Sequence, residues 1–291
     1  MHVELEELLA CPSCGERMVF KGQKSEERFI SGYFACAKGH LFQVKEEVGL
    51  LKEAKLSADE FEWKVDVADE KKYDEIRKRY DSFLGEERKA AMEKPRDLMV
   101  QKLLKLGVES DCRVLDVASG MGTFILPLAA KGDSILRIIG TDVDEKPLRG
   151  ALNKAKKAGI YEKISLVVTD AKHLAFGSGV LANVSSYFGF DNVPRASLAL
   201  KEAARVLRSG GRVVFCSLWY EENSKSVELA DKHGVGELAS ESRMRKVLDD
   251  AGFVLDSVDV VYSGVWPYNP MDLLPVEGER YQHVVVEATK A

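Results

Sequence analysis

The chain has 291 residues, which is enough for one full α/β domain and a smaller attached unit. Hydrophobic residues make up 45% of it and charged residues 31%, as in soluble globular proteins, and no apolar run approaches the roughly 20 residues of a membrane helix. The formal net charge of −5 argues against an extensive nucleic-acid surface, because neutralising phosphates requires clustered lysine and arginine. The acidic N-terminus lacks the apolar core of a signal peptide, so we expect a cytoplasmic protein without membrane attachment.

Three of the five cysteines lie within the first forty residues. Cys11 and Cys14 form a C-x-x-C-G turn, and Cys36 and His40 follow with C-x-x-x-H spacing. Three thiolates and one imidazole complete a closed tetrahedral zinc site, which indicates a structural metal rather than a catalytic one. In a cytoplasmic chain this clustering favours metal over disulfides. We therefore predict a zinc-ribbon domain over residues 1–55, the alternative being a ribbon that has lost its metal.

A helical linker is predicted over residues 56–95, between the ribbon and the main domain. Its apolar side chains recur at helical spacing: Tyr73, Ile76, Tyr80, Phe83 and Leu84. This pattern is typical of an amphipathic helix packed on a larger domain. Pro95 is expected to mark the start of the next helix, Arg96–Leu106, because proline favours the first helical position.

The third unit is predicted over residues 96–291, and its first strand ends in a turn of small residues. Asp116 closes this apolar strand, where open α/β sheets bind their ligands. Ala118, Gly120 and Gly122 follow, and small side chains there let a ligand lie against the backbone. The second strand ends in Asp142, twenty residues after Gly122, and an acid at this distance can accept hydrogen bonds from a ribose. The pattern predicts an adenosine-containing cofactor.

Further strands and helices alternate along the rest of the chain. A third strand ends in Asp170, a fourth begins at Val184, and a helix followed by Gly210-Gly211 leads into a fifth. Two more strands are predicted near the C-terminus. This alternation predicts an α/β, Rossmann-like fold with a seven-stranded sheet and helices on both faces, preceded by the small zinc ribbon.

The frame Asp116-x-Ala118-x-Gly120-x-Gly122 resembles motif I of the class I S-adenosylmethionine-dependent methyltransferases, with alanine in place of the first glycine. The acids at the ends of the second and third strands follow in the order of that family. Many of its members also cover the cofactor with an earlier helix that carries a Tyr-Asp pair, as Tyr80-Asp81 does here. The resemblance implies a cofactor site of ten residues: Tyr80, Asp116, Ala118, Gly120, Gly122, Asp142, Val143, Asp170, Ala171 and Tyr187.

The runs at residues 188–193 (FGFDNV) and 202–211 (EAARVLRSGG) resemble the ubiquinone/menaquinone C-methyltransferase group. The ribbon is similar to the zinc module of rRNA guanine-N1 methyltransferases and to partner proteins that stabilise methyltransferases. These resemblances imply an S-adenosylmethionine-dependent methyltransferase with structural zinc, acting on an unidentified small-molecule acceptor. Two alternatives stay open: an RNA base methyltransferase that binds rRNA or tRNA through the ribbon, and a non-catalytic, cofactor-binding partner subunit. Residues 1–55 hold eight Lys/Arg and nine Asp/Glu, which does not favour the RNA interpretation.

The sequence identifies no catalytic residue, and none is required, because alignment of donor and acceptor supplies much of the acceleration in methyl transfer. Asp191 and Asn192, after the fourth strand, are the preferred candidates for substrate contact. His173 is interpreted as a surface side chain and Cys216 as a core residue. The long aromatic connection Trp266–Pro275 is expected either to wall the acceptor pocket or to pack on the ribbon. The methyl acceptor, its reacting atom and the oligomeric state are left open.

Overall fold

A computed structural model describes residues 1–53, 70–109 and 112–291. Its strands belong to one sheet, in the order β1-β2-β3-β4-β7-β6-β5-β8-β9-β11-β10. The strands are β1 (Met18–Lys24), β2 (Phe29–Cys36), β3 (Leu41–Lys45), β4 (Val48–Leu50), β5 (Arg113–Asp116), β6 (Arg137–Asp142), β7 (Ile164–Val168), β8 (Leu181–Tyr187), β9 (Leu207–Tyr220), β10 (Phe253–Val265) and β11 (Arg280–Lys290). Most of the predicted linker, residues 54–69, lies outside the described residues.

Seven α-helices occur in the described ranges. They are α1 (Glu70–Phe83), α2 (Glu86–Glu109), α3 (Ile125–Lys131), α4 (Glu145–Lys157), α5 (Ala196–Val206), α6 (Lys225–Lys232) and α7 (Glu241–Asp250). The helix predicted from Tyr73 to Leu84 is confirmed as α1. Within the parts of the chain that are described, no helix combines the length and the apolar character needed to cross a membrane.

The seven strands from β7 to β10 form the Rossmann-like sheet that the sequence predicts. Strands β7, β6, β5, β8 and β9 run parallel, whereas β11 pairs antiparallel with both β9 and β10. Residues of α2, α3 and α4 join the hydrophobic core on one face of the sheet, and residues of α5 and α7 join the core on the other. Every residue of β7 is buried, as expected for a strand covered on both faces.

The N-terminal strands extend this sheet instead of forming a detached unit. β4 pairs parallel with β7, and β1, β2 and β3 continue outward as antiparallel neighbours. Phe29 and Phe34, with ring centroids 5.2 Å apart, belong to the same core cluster as Leu115 and Val184 of the central strands. The predicted ribbon therefore shares its core with the rest of the protein, because its apolar faces lie over the same sheet.

Pro95 does not start a helix, contrary to the sequence-based expectation. It lies inside α2, where proline cannot donate a backbone hydrogen bond to the carbonyl four residues earlier. That carbonyl, of Ala91, instead lies 3.3 Å from Nδ1 of His283, and the neighbouring carbonyl of Met92 accepts a 2.5 Å hydrogen bond from the Tyr187 hydroxyl. A side chain from the sheet thus lies at the carbonyl that the proline leaves open, and the helix continues through the proline.

The connection between β10 and β11 contacts helices, and its predicted alternative position on the ribbon is wrong. Its Trp266 ring lies under the Arg88 guanidinium of α2, and its Asp272 accepts a hydrogen bond from the Tyr80 hydroxyl of α1. Val276 donates its N–H to Ser226 Oγ of α6 at 2.9 Å. The ribbon strands lie at the opposite end of the sheet order, which explains why this connection does not reach them.

Arg28, the residue just before β2, joins the N-terminal strands to the central sheet. Its side chain is only 6% exposed, and Nε lies 2.9 Å from Oε2 of Glu47, which is 13% exposed. Its Nη2 donates to the Ile164 carbonyl at 3.0 Å, and the guanidinium lies 3.8 Å from the centroid of the Tyr161 ring. The buried Arg28 guanidinium therefore contacts both the N-terminal strands, at Glu47, and the central sheet, at Ile164.

Replacing Arg28 with methionine should lower the free energy of unfolding by about 1–3 kcal/mol, because the buried Ile164 carbonyl loses a donor and the Glu47 carboxylate keeps only Lys156 as its ion-pair partner. Urea titration followed by circular dichroism measures this change. The control is Arg149→Met, which breaks pairs with Glu46 and Glu145, side chains that are 73% and 34% exposed. An exposed pair contributes up to about 1 kcal/mol. Equal effects of the two substitutions would contradict the tight junction described here.

Candidate functional site

Four parallel strands end side by side at one edge of the sheet, and the predicted site residues follow those ends. The Thr169 N–H after β7 donates to the Asp142 carbonyl at 2.9 Å. The Ser119 N–H after β5 donates to the Thr141 carbonyl of β6 at 2.7 Å. The loops after β5, β6 and β7 are therefore linked directly, and Asp142 lies between the turn after β5 and the loop that carries Asp170.

The Asp142 carboxylate contacts the glycine turn. Its Oδ2 accepts from the Gly120 N–H at 2.9 Å, and its Oδ1 accepts from the Asp144 N–H at 3.0 Å. Burial raises the pKa of Asp142, although these N–H groups act in the opposite direction. Gly120 has φ +52°, and a Cβ built there would meet no atom within 4 Å. The turn thus presents open backbone beside a fixed carboxylate, which fits a ribose and the chain attached to it.

Ala118 occupies the motif position where the resembling family has glycine. Its φ is +56°, a conformation that favours glycine. Its side chain fits because Gly189, in the loop after β8, has none: a Cβ on Gly189 would lie 2.8 Å from Cβ of Ala118 and 2.7 Å from the Val117 carbonyl oxygen. Alanine therefore fits at this motif position because the neighbouring loop has a glycine, Gly189, beside it.

Asp116 lies beneath the turn. Its two carboxylate oxygens accept hydrogen bonds from Ser119 Oγ and Ser185 Oγ, each at 2.7 Å. Burial raises the pKa of Asp116 to about 7, although both serine hydroxyls favour the charged form. This carboxyl therefore joins the turn after β5 to β8. Its geometry is that of a residue that positions the turn.

Asp170 and Val143 flank the other side of Asp142. Asp170 Oδ1 accepts from the Lys172 N–H at 2.8 Å, and Lys172 Nζ lies 4.0 Å from its Oδ2. Val143 is 38% exposed, and its carbonyl accepts a hydrogen bond from Lys52 Nζ at 2.6 Å. Ala171 is partly buried and packs against the core. Val143 is an exposed apolar side chain between Asp142 and Asp170, so it is suited to cover one face of a nucleobase.

The two predicted tyrosines make different contacts. The Tyr187 ring stacks on Phe124 of the glycine turn, with centroids 5.9 Å apart and planes inclined by 12°. Its hydroxyl is bound to α2, as described above. The described contact of Tyr80 is with Asp272, whose pKa is raised to about 6 by burial. The structure therefore brings Tyr187 to the glycine turn and Tyr80 to the connection between β10 and β11.

The candidates for substrate contact are already engaged within the fold. Burial raises the pKa of Asp191 to about 7, and its carboxylate accepts from Ser217 Oγ at 2.6 Å and from the Leu218 N–H at 2.9 Å. Asn192 Nδ2 donates to the Phe188 carbonyl at 2.7 Å. These contacts place both side chains in the connection between β8 and β9. Cys216 is fully buried in the core, as the sequence indicates.

The four predicted metal ligands converge at one point. Their ligand atoms all lie within 4.8 Å of one another. Nδ1 of His40 lies 3.4 Å from the sulfurs of Cys11 and Cys36, and the sulfurs of Cys14 and Cys36 are 3.7 Å apart. A tetrahedral zinc with normal bond lengths requires edges of about 3.8 Å between sulfurs and about 3.5 Å between sulfur and nitrogen. The donor set therefore fits zinc.

The cysteine turn touches the loop that carries Asp170. The Ala10 N–H donates to the Ala175 carbonyl at 3.1 Å, and the Gly177 N–H donates to the Leu8 carbonyl at 2.8 Å. His173 lines a cavity together with Cys11, which places it beside the cysteine turn. The residues just before Cys11 are therefore in direct backbone contact with the loop that carries Asp170.

Sequence reasoning missed one cluster at the same edge of the sheet. It consists of Arg88 of α2, Trp266 after β10, and Tyr262, Tyr281 and His283 of the last two strands. Arg88, Trp266, Tyr281 and His283 are buried. These residues are far apart in the chain and belong to no motif, so only the pairing of β10 with β11 brings them together.

The strand order, the glycine turn after β5 and the acid after β6 define the class of Rossmann-like methyltransferases. Within this class, the chain belongs to the ubiE/COQ5 methyltransferase family, which matches residues 70–227. The match includes α1 and extends beyond β9, so it covers the glycine turn, Asp142 and Asp170.

Relatives with known names match a shorter stretch. The ubiquinone/menaquinone biosynthesis C-methyltransferase of Rhizobium meliloti is 32% identical over 143 residues, which are 49% of this chain and 55% of that protein. The demethylmenaquinone methyltransferase of Bacteroides fragilis is 34% identical over 106 residues, 36% of this chain and 43% of that protein. The chain thus spans about half the length of the curated relatives that it matches.

Solved structures share the fold at low sequence identity. The geranyl diphosphate C-methyltransferase of Streptomyces coelicolor, in complex with S-adenosyl-L-homocysteine, has a TM-score of 0.52 and 15% identity, covering 67% of this chain and 79% of that one. The [4+2]-cyclase SpnF also has a TM-score of 0.52 and 15% identity, covering 67% and 81%. Because one fold carries both names, the fold alone does not define a reaction.

The buried Asp116 carboxyl predicts a pH-dependent difference between the parent protein and Asp116→Asn. Because its pKa is raised in the folded state, the carboxyl contributes stability that is present below about pH 4 and is lost as the pH rises towards about 7. The variant lacks this titration, so its free energy of unfolding should rise relative to the parent over that window, by at most roughly 4 kcal/mol. Urea unfolding at several pH values measures the difference, and a difference independent of pH would contradict it.

Proposed function

We propose that this chain is an S-adenosylmethionine-dependent methyltransferase that acts on a small-molecule acceptor. Membership of the ubiE/COQ5 methyltransferase family supports the reaction class. The relatives named above are a ubiquinone/menaquinone biosynthesis C-methyltransferase and a demethylmenaquinone methyltransferase, which supports a small organic acceptor over a macromolecule. The arrangement of the glycine turn supports the cofactor.

The observation that carries the proposal is the pairing of the Asp142 carboxylate with the Gly120 N–H beside open backbone. The carboxylate accepts hydrogen bonds from the Gly120 and Asp144 N–H groups, and carboxylate oxygens offer about four lone-pair directions, which leaves room for a ribose hydroxyl. We propose that the cofactor contacts the residues predicted from the sequence. They are Tyr80, Asp116, Ala118, Gly120, Gly122, Asp142, Val143, Asp170, Ala171 and Tyr187, with Asp116 acting through the turn that it positions.

Bound S-adenosylmethionine supplies a methyl group on a sulfonium, which a nucleophile displaces in line. The protein's task in such a reaction is to align the two reactants and exclude water. The Asp116 hydrogen bonds fix the glycine turn, and the stacked Tyr187 ring fixes the start of the loop after β8 beside it. A general base is needed only if the acceptor must lose a proton. We assign no catalytic base.

We further propose that residues 1–55 form a structural zinc ribbon. The near-tetrahedral spacing of Cys11, Cys14, Cys36 and His40 supports it, because four protein ligands leave no open coordination position for catalysis. Burial alone would raise the pKa of Cys36, but the backbone N–H groups of His40 and Lys38 lower it to about 6. N–H groups directed at a sulfur in this way stabilise a thiolate ligand.

The cofactor proposal is tested by titrating the protein with S-adenosyl-L-homocysteine in a calorimeter. We expect binding at micromolar affinity and a loss of at least about tenfold in Asp142→Ala, because two or more charge-assisted hydrogen bonds to ribose disappear. Asp144→Ser is the matched control: it removes a neighbouring charge but keeps a residue type that can cap α4. Binding of NADH with no response to S-adenosyl-L-homocysteine would overturn the proposed function.

Elemental analysis of reduced, untagged protein tests the metal. We expect one zinc per chain, lost in Cys14→Ser and retained in Cys112→Ser, which removes a cysteine outside the cluster. Chelation should increase hydrogen exchange at the Ala10 and Gly177 N–H groups, because both cross the seam beside the cysteine turn. The strands β5 and β6 should stay protected. Metal-free protein with unchanged exchange would show that the ribbon does not use zinc.

A further inference from the structure

Arg88 of α2 is a buried cation without an acidic partner. It is 8% exposed, and its Nη2 donates to the Val265 carbonyl. Among the described residues, no carboxylate oxygen lies within 4.0 Å of its guanidinium nitrogens. Burying a charge without a counter-ion is costly, and such a group is normally paired. An anion that binds from outside the chain would supply the missing partner.

Three polar side-chain atoms in this cluster are buried and unpaired: the Tyr281 hydroxyl oxygen and two nitrogen donors, Nη1 of Arg88 and Nε1 of Trp266. Trp266 is 6% exposed. The guanidinium carbon lies 4.5 Å from the centroid of the Trp266 ring, so the two donors belong to one small region. An unpaired buried donor costs about 1–3 kcal/mol, and more when it is charged. One oxyanion with two oxygens would satisfy both donors at once.

A continuous row of aromatic rings connects this cluster to the glycine turn. Successive ring centroids along it lie between 4.8 and 5.9 Å apart. In order, the rings are Phe124, Tyr187, Phe188, His283, Tyr281 and Trp266. Aromatic rings at this spacing pack against one another, and Tyr187 and Phe188 in the middle of the row are only partly buried. The row begins at the proposed cofactor site and ends at Arg88.

We propose that Arg88 and Trp266, which we call the acid subsite, bind a carboxylate or phosphate group on an aromatic methyl acceptor. The subsite rests on the proposed function, since it assigns the acceptor's chemical class to the same site. The acceptor's ring lies along the aromatic row, and its acidic group accepts hydrogen bonds from Nη1 of Arg88 and Nε1 of Trp266. The guanidinium charge selects acids over neutral molecules of the same shape.

Burial raises the pKa of Asp272 and the charge of the nearby Arg88 opposes that rise, but the two side chains form no ion pair within 4.0 Å. The Asp272 carboxylate accepts from Asn269 Nδ2 at 2.7 Å and from the Tyr80 hydroxyl. The connection that carries both Asp272 and Trp266 packs on Arg88 through the Trp266 ring. Two backbone hydrogen bonds join the start of this connection to its end. The Trp266 N–H donates to the Glu279 carbonyl at 2.9 Å, and the Gly278 N–H donates to the Trp266 carbonyl at 2.8 Å.

The indole N–H signals of ¹⁵N-labelled protein report directly on the subsite. The full chain, saturated with S-adenosyl-L-homocysteine, is titrated separately with benzoate, phenyl phosphate and the neutral benzamide. We expect the Trp266 signal, assigned from its absence in Trp266→Phe, to shift with at least one of the two acids and not with benzamide. Trp219 is the internal control, because its Nε1 is also buried and unpaired but lies on the other face of the sheet. Comparing the two acids decides between carboxylate and phosphate.

Two substitutions test which side chains bind the acid. Arg88→Lys keeps the charge but changes the fork of donors, and Trp266→Phe keeps a ring but removes the N–H. Each should weaken acid binding about tenfold or more, measured by calorimetry, while Trp219→Phe leaves it unchanged. No Trp266 shift with either acid up to about 10 mM, a range that detects a Kd of about 1 mM, would overturn the subsite. If S-adenosyl-L-homocysteine still binds in that case, the proposed function stands; if it does not bind, the proposed function itself fails.

Discussion

The candidate site depends on the hydrogen bonds that fix the turn after β5. Asp116 is held by serines from the turn itself and from β8, and the turn is held in addition by β6 through Thr141. These contacts come from three adjacent strands, so the turn keeps three residues, Ala118, Gly120 and Gly122, at positive φ. The Asp142 carboxylate can then accept a hydrogen bond from the Gly120 N–H. Without a fixed turn, the open backbone beside Asp142 would have no defined shape for a cofactor.

The N-terminal strands stabilise the same region from the sheet edge. β7 would be the edge of a seven-stranded sheet, and β4 covers it with a parallel partner. An exposed edge strand is a site of unwanted pairing, so covering it stabilises the monomeric sheet. The residues just before Cys11 then pair with the chain that follows Asp170. The proposed ribbon is therefore a neighbour of the loops proposed to bind the cofactor, a position that suits a supporting role.

The sequence predicted the parts of the structure that depend on short-range pattern. The strand ends at Asp116 and Asp142, the glycine turn and the metal cluster follow from local spacing, and the structure has them where the pattern indicates. Pro95 was misread because its effect is decided by a distant residue: His283, on the last strand, takes the carbonyl that proline leaves open. The cluster around Arg88 was invisible for the same reason. Its members meet only after β10 and β11 pair.

The helix α2 connects these observations. Proline at position 95 frees the Ala91 carbonyl for His283, and burial lowers the pKa of His283 to about 4, so its ring is neutral near pH 7. A neutral ring beside Arg88 adds no second positive charge to the cluster, whereas a protonated one would repel the guanidinium. The same turn of helix receives the Tyr187 hydroxyl, so the aromatic row and the cation are held by one element. The proposed acid subsite and the ring that stacks on the glycine turn are therefore both in contact with this one helix.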